Sequence, residues 1–246
     1  MCKPPVSFFA YPGKPAVLTH PDAEILTLAE TGADLTGALN AVSDVVSAGN
    51  TVARGIAPVQ TTGRPSGAIS PETIAAVLAR TIPENGIVVD ESVTTGRVFL
   101  PETAGASPHT WLNNCGGSIG YGIPVAVGAA IARPDRKVLA LIGDGSAMYT
   151  PQALWTLARE SLDVTVVILS NRSYAILRGE LTNVGVQNPG PRAVDMLSLT
   201  RPDLDWVQMA RGMGVEACRV DDAEALETAI KAGLASEGPY LIEATL

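Results

Sequence analysis

Val138-Leu139-Ala140-Leu141-Ile142 runs into Gly143-Asp144-Gly145-Ser146, and Val164-Thr165-Val166-Val167-Ile168-Leu169 runs into Ser170-Asn171-Arg172-Ser173-Tyr174. These two stretches decide how the chain folds. Each apolar run is strand-sized and largely lacks polar/apolar alternation, as expected of a strand buried on both faces of a parallel sheet. Between them Thr150-Pro151 opens a helix expected to end near Ser161, so the unit reads strand, crossover helix, strand. If the two strands are adjacent and parallel, Asp144 and Asn171 come to the same sheet edge. That is the carboxyl edge, where open α/β sheets bind ligands.

The same reading extends outward. Gly86–Asp90, Val215–Val220 and Tyr240–Ala244 are further buried-strand runs. Ser70-Pro71-Glu72 starts a helix that should run to about Thr81, with Ser as N-cap, Pro at the first helical position and Glu in the first turn. Gly122–Ala132, Asp203–Gly212 and Asp222–Ala235 are the other helical candidates. The repeated alternation predicts an α/β fold, a parallel β-sheet flanked by helices, over residues 70–246. Residues 51–69 carry Gly55, Pro58, Gly63, Pro65 and Gly67 and read as a linker. Residues 1–50 offer a strand at Val6–Ala10, a turn cluster at Pro12-Gly13-Lys14-Pro15 and a helix at Asp34–Ala48. That is too little to close a core, and it reads as a piece of another domain.

The chain has 246 residues, with 17 Lys and Arg against 25 Asp and Glu, a formal net charge of −8. With 46% hydrophobic and only 17% charged residues, intrinsic disorder is excluded. The acidic balance and the lack of a basic run argue against nucleic acid and anionic membrane as partners. The apolar stretches fall far short of the ~18 residues that suggest a membrane span, and Met1-Cys2-Lys3-Pro4-Pro5 is not followed by the apolar core of a signal peptide. Cys2, Cys115 and Cys218 fit neither a disulfide framework nor a zinc knuckle. The simplest expectation is a reduced, cytoplasmic setting. With His20 and His109 alone, a multi-histidine metal site is excluded.

Gly143 and Gly145 let the backbone turn sharply and approach a ligand. The Asp144 carboxylate, the Asn171 side-chain oxygen and a backbone carbonyl make a hard-oxygen set that suits Mg2+ when a diphosphate completes its shell. A helix starting near Thr150 would help with a phosphate. Taken alone, Gly-Asp-Gly also fits plain turn chemistry and a strand-end Asn fits a cap. The glycines of Gly116–Pro124 allow backbone groups to reach a flat heterocycle. They also fit a glycine-rich helix entry, with Ile119 in the core. Ser92 and Thr94 follow a strand and can cap a helix or bind phosphate; Glu91 beside them is as readily solvated or capping as active-site. His109, next to Trp111, is expected to be structural, with a substrate-side role as the alternative. Cys115 is expected to be a small buried residue, with no His partner to make it a nucleophile. No G-x-G-x-x-G follows a strand with an acid about 20 residues on, which disfavours a dinucleotide-binding oxidoreductase.

Gly-Asp-Gly, then 25 residues holding a helix and an apolar strand, then Asn, resembles the diphosphate-binding motif of thiamine diphosphate (ThDP)-dependent enzymes. Gly143-Asp144-Gly145-Ser146-Ala147-Met148-Tyr149, Gln152-Ala153-Leu154-Trp155-Thr156 and Gly116-Gly117-Ser118-Ile119-Gly120-Tyr121-Gly122-Ile123-Pro124 resemble the C-terminal domain of benzoylformate decarboxylase and acetolactate synthase large subunit-like proteins. The resemblance implies a flavodoxin-like ThDP-binding fold for residues 70–246 and the end of a central domain for residues 1–50. It implies two cofactors, ThDP and Mg2+, with the metal held by Asp144, Asn171 and the backbone of Ser173. The diphosphate would meet Gly143, Gly145 and Ser146, with phosphate contacts from Ser92 and Thr94. The carbonyl of Gly117 would accept from the cofactor's 4′-amino group, and Ile119 would wedge between its two rings. Tyr174 would complete the cofactor site, and Tyr174, Ile176 and Leu177 would border the substrate, although core packing is the expectation for Ile176. The pattern departs at Arg172, where many members carry a second Asn; the ligand position Asn171 is retained.

The implied activity is C–C bond cleavage or acyl transfer on a small 2-keto acid through a ThDP enamine, that of a decarboxylase or acetolactate synthase-like lyase or transferase. In the family the glutamate that activates the aminopyrimidine lies on a separate pyrimidine-binding domain, and no acid in these residues has a motif for that role. The expectation is therefore a Mg-ThDP-binding half that is inactive alone and needs a pyrimidine-domain chain or a homo-oligomer, with Gly122–Ala132 a candidate interface. The rival expectation is a catalytically inactive truncated remnant or an interaction module.

Overall fold

The computed structural model describes residues 20, 22–24, 26–50, 58–59 and 63–246. Contacts divide the chain into two units, Met1–Ile56 with Leu181–Gln187, and Ala57–Glu180 with Asn188–Leu246. In the first unit Asp34 caps helix α1 (Leu35–Val45), its carboxylate accepting the N–H of Gly37 at 2.9 Å. The helix is shorter than the predicted Asp34–Ala48 because the turn at Val46–Ser47 ends in a left-handed Ser47 and passes to a short 3-10 segment, Ala48–Asn50. The predicted strand at Val6–Ala10 and the turn cluster after it lie outside the described residues, as does most of the linker.

In the second unit the chain builds α2 (Pro71–Thr81), β1 (Ile87–Glu91), α3 (Phe99–Glu102), β2 (Thr110–Asn113), α4 (Gly122–Ala132), β3 (Val138–Gly143), α5 (Asp144–Ala147), α6 (Ala153–Arg159) and β4 (Val164–Ser170). It continues through α7 (Ala175–Asn183), whose residues from Leu181 on are grouped with the first unit, α8 (Pro191–Met196), α9 (Trp206–Gly212), β5 (Glu216–Val220), α10 (Ala223–Ala235) and β6 (Tyr240–Thr245). The cap at Ser70 forms as read: its hydroxyl oxygen accepts the Thr73 N–H while the Thr73 hydroxyl oxygen accepts the Ser70 N–H.

All the paired strands are parallel, in the order β2-β1-β3-β4-β6-β5. Every residue from Val138 to Ile142 is buried, and the reason lies in the pleat. Leu139 and Leu141 point to one face, packing with Ile74, Leu78, Leu226 and Ile230 of α2 and α10. Val138, Ala140 and Ile142 point to the other, packing with Ile123 of α4, Leu154 and Leu157 of α6 and Trp206 of α9. The result is a three-layer α/β/α sandwich, the parallel sheet flanked by helices that the sequence predicts.

Three features depart from the expectation. β2 adds an edge strand that Thr110-Trp111-Leu112-Asn113 does not advertise, because an edge strand exposed at both ends carries no apolar run. The helix after β3 does not wait for Thr150: a single turn forms at once over Asp144–Ala147, and α6 begins only at Ala153. The helical α7 and α8 bury no residue, so they lack the apolar stripe by which a helix is read. No helix among the described residues is long and apolar enough to cross a membrane.

Candidate functional site

In the order β2-β1-β3-β4 the chain leaves β1 toward one side and β3 toward the other, so the connections after these two strands diverge at a topological switch point. Register fixes what meets at that edge. Glu91 is level with Ile142, and Gly143 with Leu169. A cavity opens on this edge, lined by Ser92–Thr94 after β1, Ile119, Gly143–Ser146 and Tyr149 after β3, and Asn171 with Ser173–Leu177 after β4.

Asp144 lies in its wall at 2% exposure. Its Oδ1 accepts the N–H of Gly145 at 2.8 Å and its Oδ2 the N–H of Arg172 at 2.6 Å. Burial pushes the carboxyl up to about 6, against these N–H donors, and the charge of Glu243 adds to the rise. Each carboxylate oxygen keeps a second lone pair for a ligand. Asn171 is folded into an Asx turn, its Oδ1 accepting the N–H of Ser173 at 3.0 Å and the Ser173 hydroxyl at 3.2 Å. Ser173 sits between two pinned peptides: Arg172 C=O accepts from Leu199 N–H at 2.8 Å, and Tyr174 N–H donates to Leu197 C=O at 3.0 Å. Asp144, Asn171 and Ser173 thus line a common cavity, and among them they carry a carboxylate, an amide oxygen and a loop carbonyl. Among the described residues there is no cluster of three or more His, Cys, Asp or Glu that could hold a metal. The donor set fits a hard divalent cation only if a ligand brings further oxygens, which is the chemistry of a cation–diphosphate pair.

Most of the sequence-predicted residues come together here. Ser92, Thr94, Ile119, Gly143, Asp144, Gly145, Ser146, Asn171, Ser173 and Tyr174 all line the cavity. A Cβ on Gly145 would lie 2.8 Å from the Tyr174 ring, so a side chain there fits only if that ring moves. The Ser92 hydroxyl donates to Asp90, which also accepts the Ser92 N–H at 2.9 Å. Gly117 takes a left-handed turn conformation at φ +70° and is not among the lining residues. Residues 150–153 are not among them either; the Thr150 hydroxyl donates instead to the carbonyl of Gly120 at 2.7 Å.

Other expectations are corrected. Ile176 lines the cavity with Leu177 and is not core. Cys115 is exposed, not buried, because it lies in the turn after β2. Glu91 is not solvated: it is 1% exposed, with both carboxylate oxygens accepting backbone N–H groups of Gly120 and Gly122. His109, by contrast, keeps its expected structural role: it precedes β2 and so lies at the amino end of the sheet, away from the site, its Nδ1 2.6 Å from the Ser107 carbonyl and its ring tilted on Trp111. Sequence reasoning missed Val93, Tyr149 and Ala175 as lining residues. Val93 adopts φ +48°, an outlier for a β-branched residue that no local signal announces.

Residues 100–244, more than half of the chain, match the family described as thiamine pyrophosphate enzyme, C-terminal TPP binding domain. Over 244 residues and 97% of its length, the chain is 50% identical to a Mycobacterium tuberculosis protein provisionally named acetolactate synthase large subunit IlvX, covering 46% of that protein. It is 37% identical to benzoylformate decarboxylase of Pseudomonas aeruginosa over 72% of this chain and 32% of that one. Among solved structures, the thiamine diphosphate-dependent 4-hydroxybenzoylformate decarboxylase of Rhodococcus jostii RHA1 superposes with a TM-score of 0.66 at 30% identity, over 84% of this chain and 38% of that chain. The chain spans less than half the length of each of these relatives.

Proposed function

The chain belongs to the thiamine pyrophosphate enzymes by their C-terminal TPP-binding domain, and from that membership we propose that it is the Mg-ThDP-binding half of a 2-keto acid decarboxylase or acetolactate synthase-like enzyme. Residues 70–246 are the diphosphate-binding domain, 51–69 a linker and 1–50 the closing part of a central domain. The observation that carries the reading is the buried, backbone-oriented Asp144 carboxylate facing one cavity with Asn171 and Ser173.

In this reading Asp144, Asn171 and the Ser173 carbonyl hold Mg2+. Ser146 and the close-approach glycines Gly143 and Gly145 receive the diphosphate, with Ser92 and Thr94 at its flank. Ile119 and Gly117 face the cofactor rings, and Tyr174, Ile176 and Leu177 exclude water beside a small 2-keto acid. When bound, ThDP would supply a nucleophilic thiazolium carbon and an electron sink for C–C cleavage. This chain's own residues bind and orient. The acid that protonates the aminopyrimidine is supplied by a pyrimidine-binding domain, from a further segment or another chain. The name benzoylformate decarboxylase supports this substrate class, and the words large subunit in the names of the acetolactate synthase relatives support an oligomeric enzyme; a cytoplasmic setting belongs to the same proposal. The exposed Ile131 on α4 supports that helix as part of the association surface.

Calorimetry with ThDP and Mg2+ tests the reading. Binding by the wild type and its loss in Asp144→Ala are expected, and equal affinity of the two overturns the assignment. With pyruvate or benzoylformate, residues 1–246 alone are expected to give no turnover, and robust turnover would remove the need for a complementing domain.

A further inference from the structure

Glu91 closes β1 at 1% exposure, yet it is not among the cavity-lining residues, and the Mg-diphosphate reading gives it no task. Its Oε1 accepts the N–H of Gly120 and its Oε2 the N–H of Gly122 at 2.7 Å. Two further bonds hold the same loop. The Thr150 hydroxyl donates to the Gly120 carbonyl at 2.7 Å, and the Tyr121 hydroxyl donates to the Asp90 carbonyl. Gly120 is thus gripped at both its N–H and its C=O.

The residue next to this grip is Ile119, 39% exposed and on the cavity wall. Its loop contains Gly116, Gly117 and Gly120, all at positive φ, where glycine gives the backbone more conformational freedom than other residues would. An exposed aliphatic side chain on such a loop holds a fixed position only if the backbone beside it is tied down. The tie is built for close approach: a Cβ on Gly122 would lie 2.7 Å from the Glu91 carboxylate, and one on Gly120 would lie 2.6 Å from the Tyr149 Cβ. Burying a carboxylate is costly, and burial raises the Glu91 carboxyl above its ordinary range. A surface Ser or Asp would cap α4 without that cost.

We propose that Glu91 is a positioning residue that clamps the Gly120–Gly122 backbone and so presents Ile119 to the ring portion of ThDP, separately from the Asp144–Asn171 end that takes the diphosphate. The proposal rests on the ThDP-binding reading, and its test separates the two. Calorimetry at pH 8 with Mg2+ compares ThDP with inorganic pyrophosphate on the 246-residue chain, on Glu91→Gln and on Asp144→Ala. Glu91→Gln keeps the shape but turns one acceptor into a donor facing an N–H. It is expected to bind ThDP about tenfold more weakly, with pyrophosphate affinity unchanged. Asp144→Ala is expected to weaken both ligands. Equal weakening of both by Glu91→Gln marks general damage and overturns the proposal, as does no weakening of either. Wild type that binds both ligands equally also overturns it. Unchanged ThDP affinity in Asp144→Ala would instead remove the cofactor reading itself. Should Glu91→Gln fail to fold, the exposed Ile119→Ala reads the same split; it is expected to lower ThDP affinity alone, and an unchanged ThDP affinity overturns the proposal.

Discussion

The backbone N–H of Arg172 donates to the buried Oδ2 of Asp144 at 2.6 Å, across 28 residues of sequence. This bond ties the loop after β4 to the loop after β3 at the sheet's switch point and orients the carboxylate before any ligand arrives. The donor is main chain, so the side chain at 172 is free for other work. The Arg172 guanidinium pairs with Asp203 at 3.3 Å, both about half exposed.

Arg172 sits at φ +54°, a left-handed conformation that costs an ordinary residue about 1–2 kcal/mol and Asn less. The exposed ion pair lost on substitution is worth about 0–1 kcal/mol. Arg172→Asn is therefore expected to leave stability unchanged or raise it by up to about 1 kcal/mol in denaturant titrations, with ThDP affinity unchanged. A loss above about 2 kcal/mol would mean that the guanidinium, not the peptide, holds the loop.

Gly145→Ala probes the proposed diphosphate end. The added Cβ meets the Tyr174 ring at 2.8 and 2.9 Å, and that ring is part of the cavity wall, not of the core. The ring is expected to swing rather than the sheet to yield. ThDP affinity should fall at least about tenfold while the melting temperature moves little, since overpacking against a movable side chain falls at the low end of about 1–3 kcal/mol. Unaltered affinity would place the diphosphate elsewhere.

Two glycines separate backbone strain from space. Gly120 sits at φ +91° with its Cβ position 2.6 Å from the Cβ of Tyr149, whereas Gly128 on α4 has nothing within 4 Å. Gly120→Ala is expected to destabilise by about 2–4 kcal/mol. Gly128→Ala should stabilise by up to about 1 kcal/mol through helix propensity alone. Chemical denaturation of the pair checks both, and similar effects at the two sites would contradict the loop geometry.

Glu91 gives a pH dependence of definite sign. Its folded-state carboxyl is raised above the ordinary value of 4.5, chiefly by burial, with Asp90 adding to the rise. The folded state therefore binds this proton more tightly than the unfolded state, so the group's stabilising contribution is full below about 4.5 and is lost as pH rises through the raised value. Glu91→Gln cannot titrate. The stability of wild type relative to Glu91→Gln is expected to be greatest near pH 4.5 and smaller at pH 8. A difference that stays flat or grows with pH contradicts the raised value.

The sequence alone determined five of the six strands and most of the cavity-lining residues. Val138–Ile142 and Val164–Leu169 are apolar at every pleat but one because both faces of those strands are covered, by α2 and α10 on one side and α4, α6 and α9 on the other. A run of that kind ending in Gly-Asp-Gly or Ser-Asn has to deliver its polar residues to the carboxyl edge. Asp144 and Asn171 were legible for that local reason. The tertiary structure alone decided the fate of residues whose partners are distant in sequence. Glu91 reads as solvated or capping as readily as active-site until residues 29 and 31 positions away bring their N–H groups to it. His109 stands close in sequence to the glycine loop, but β2 runs between them and carries it to the opposite end of the sheet. Periodicity and turn chemistry report what a residue does within its own segment. Burial of a charge, and the cavity wall that Ile176 joins, are set by which loops the sheet order brings side by side.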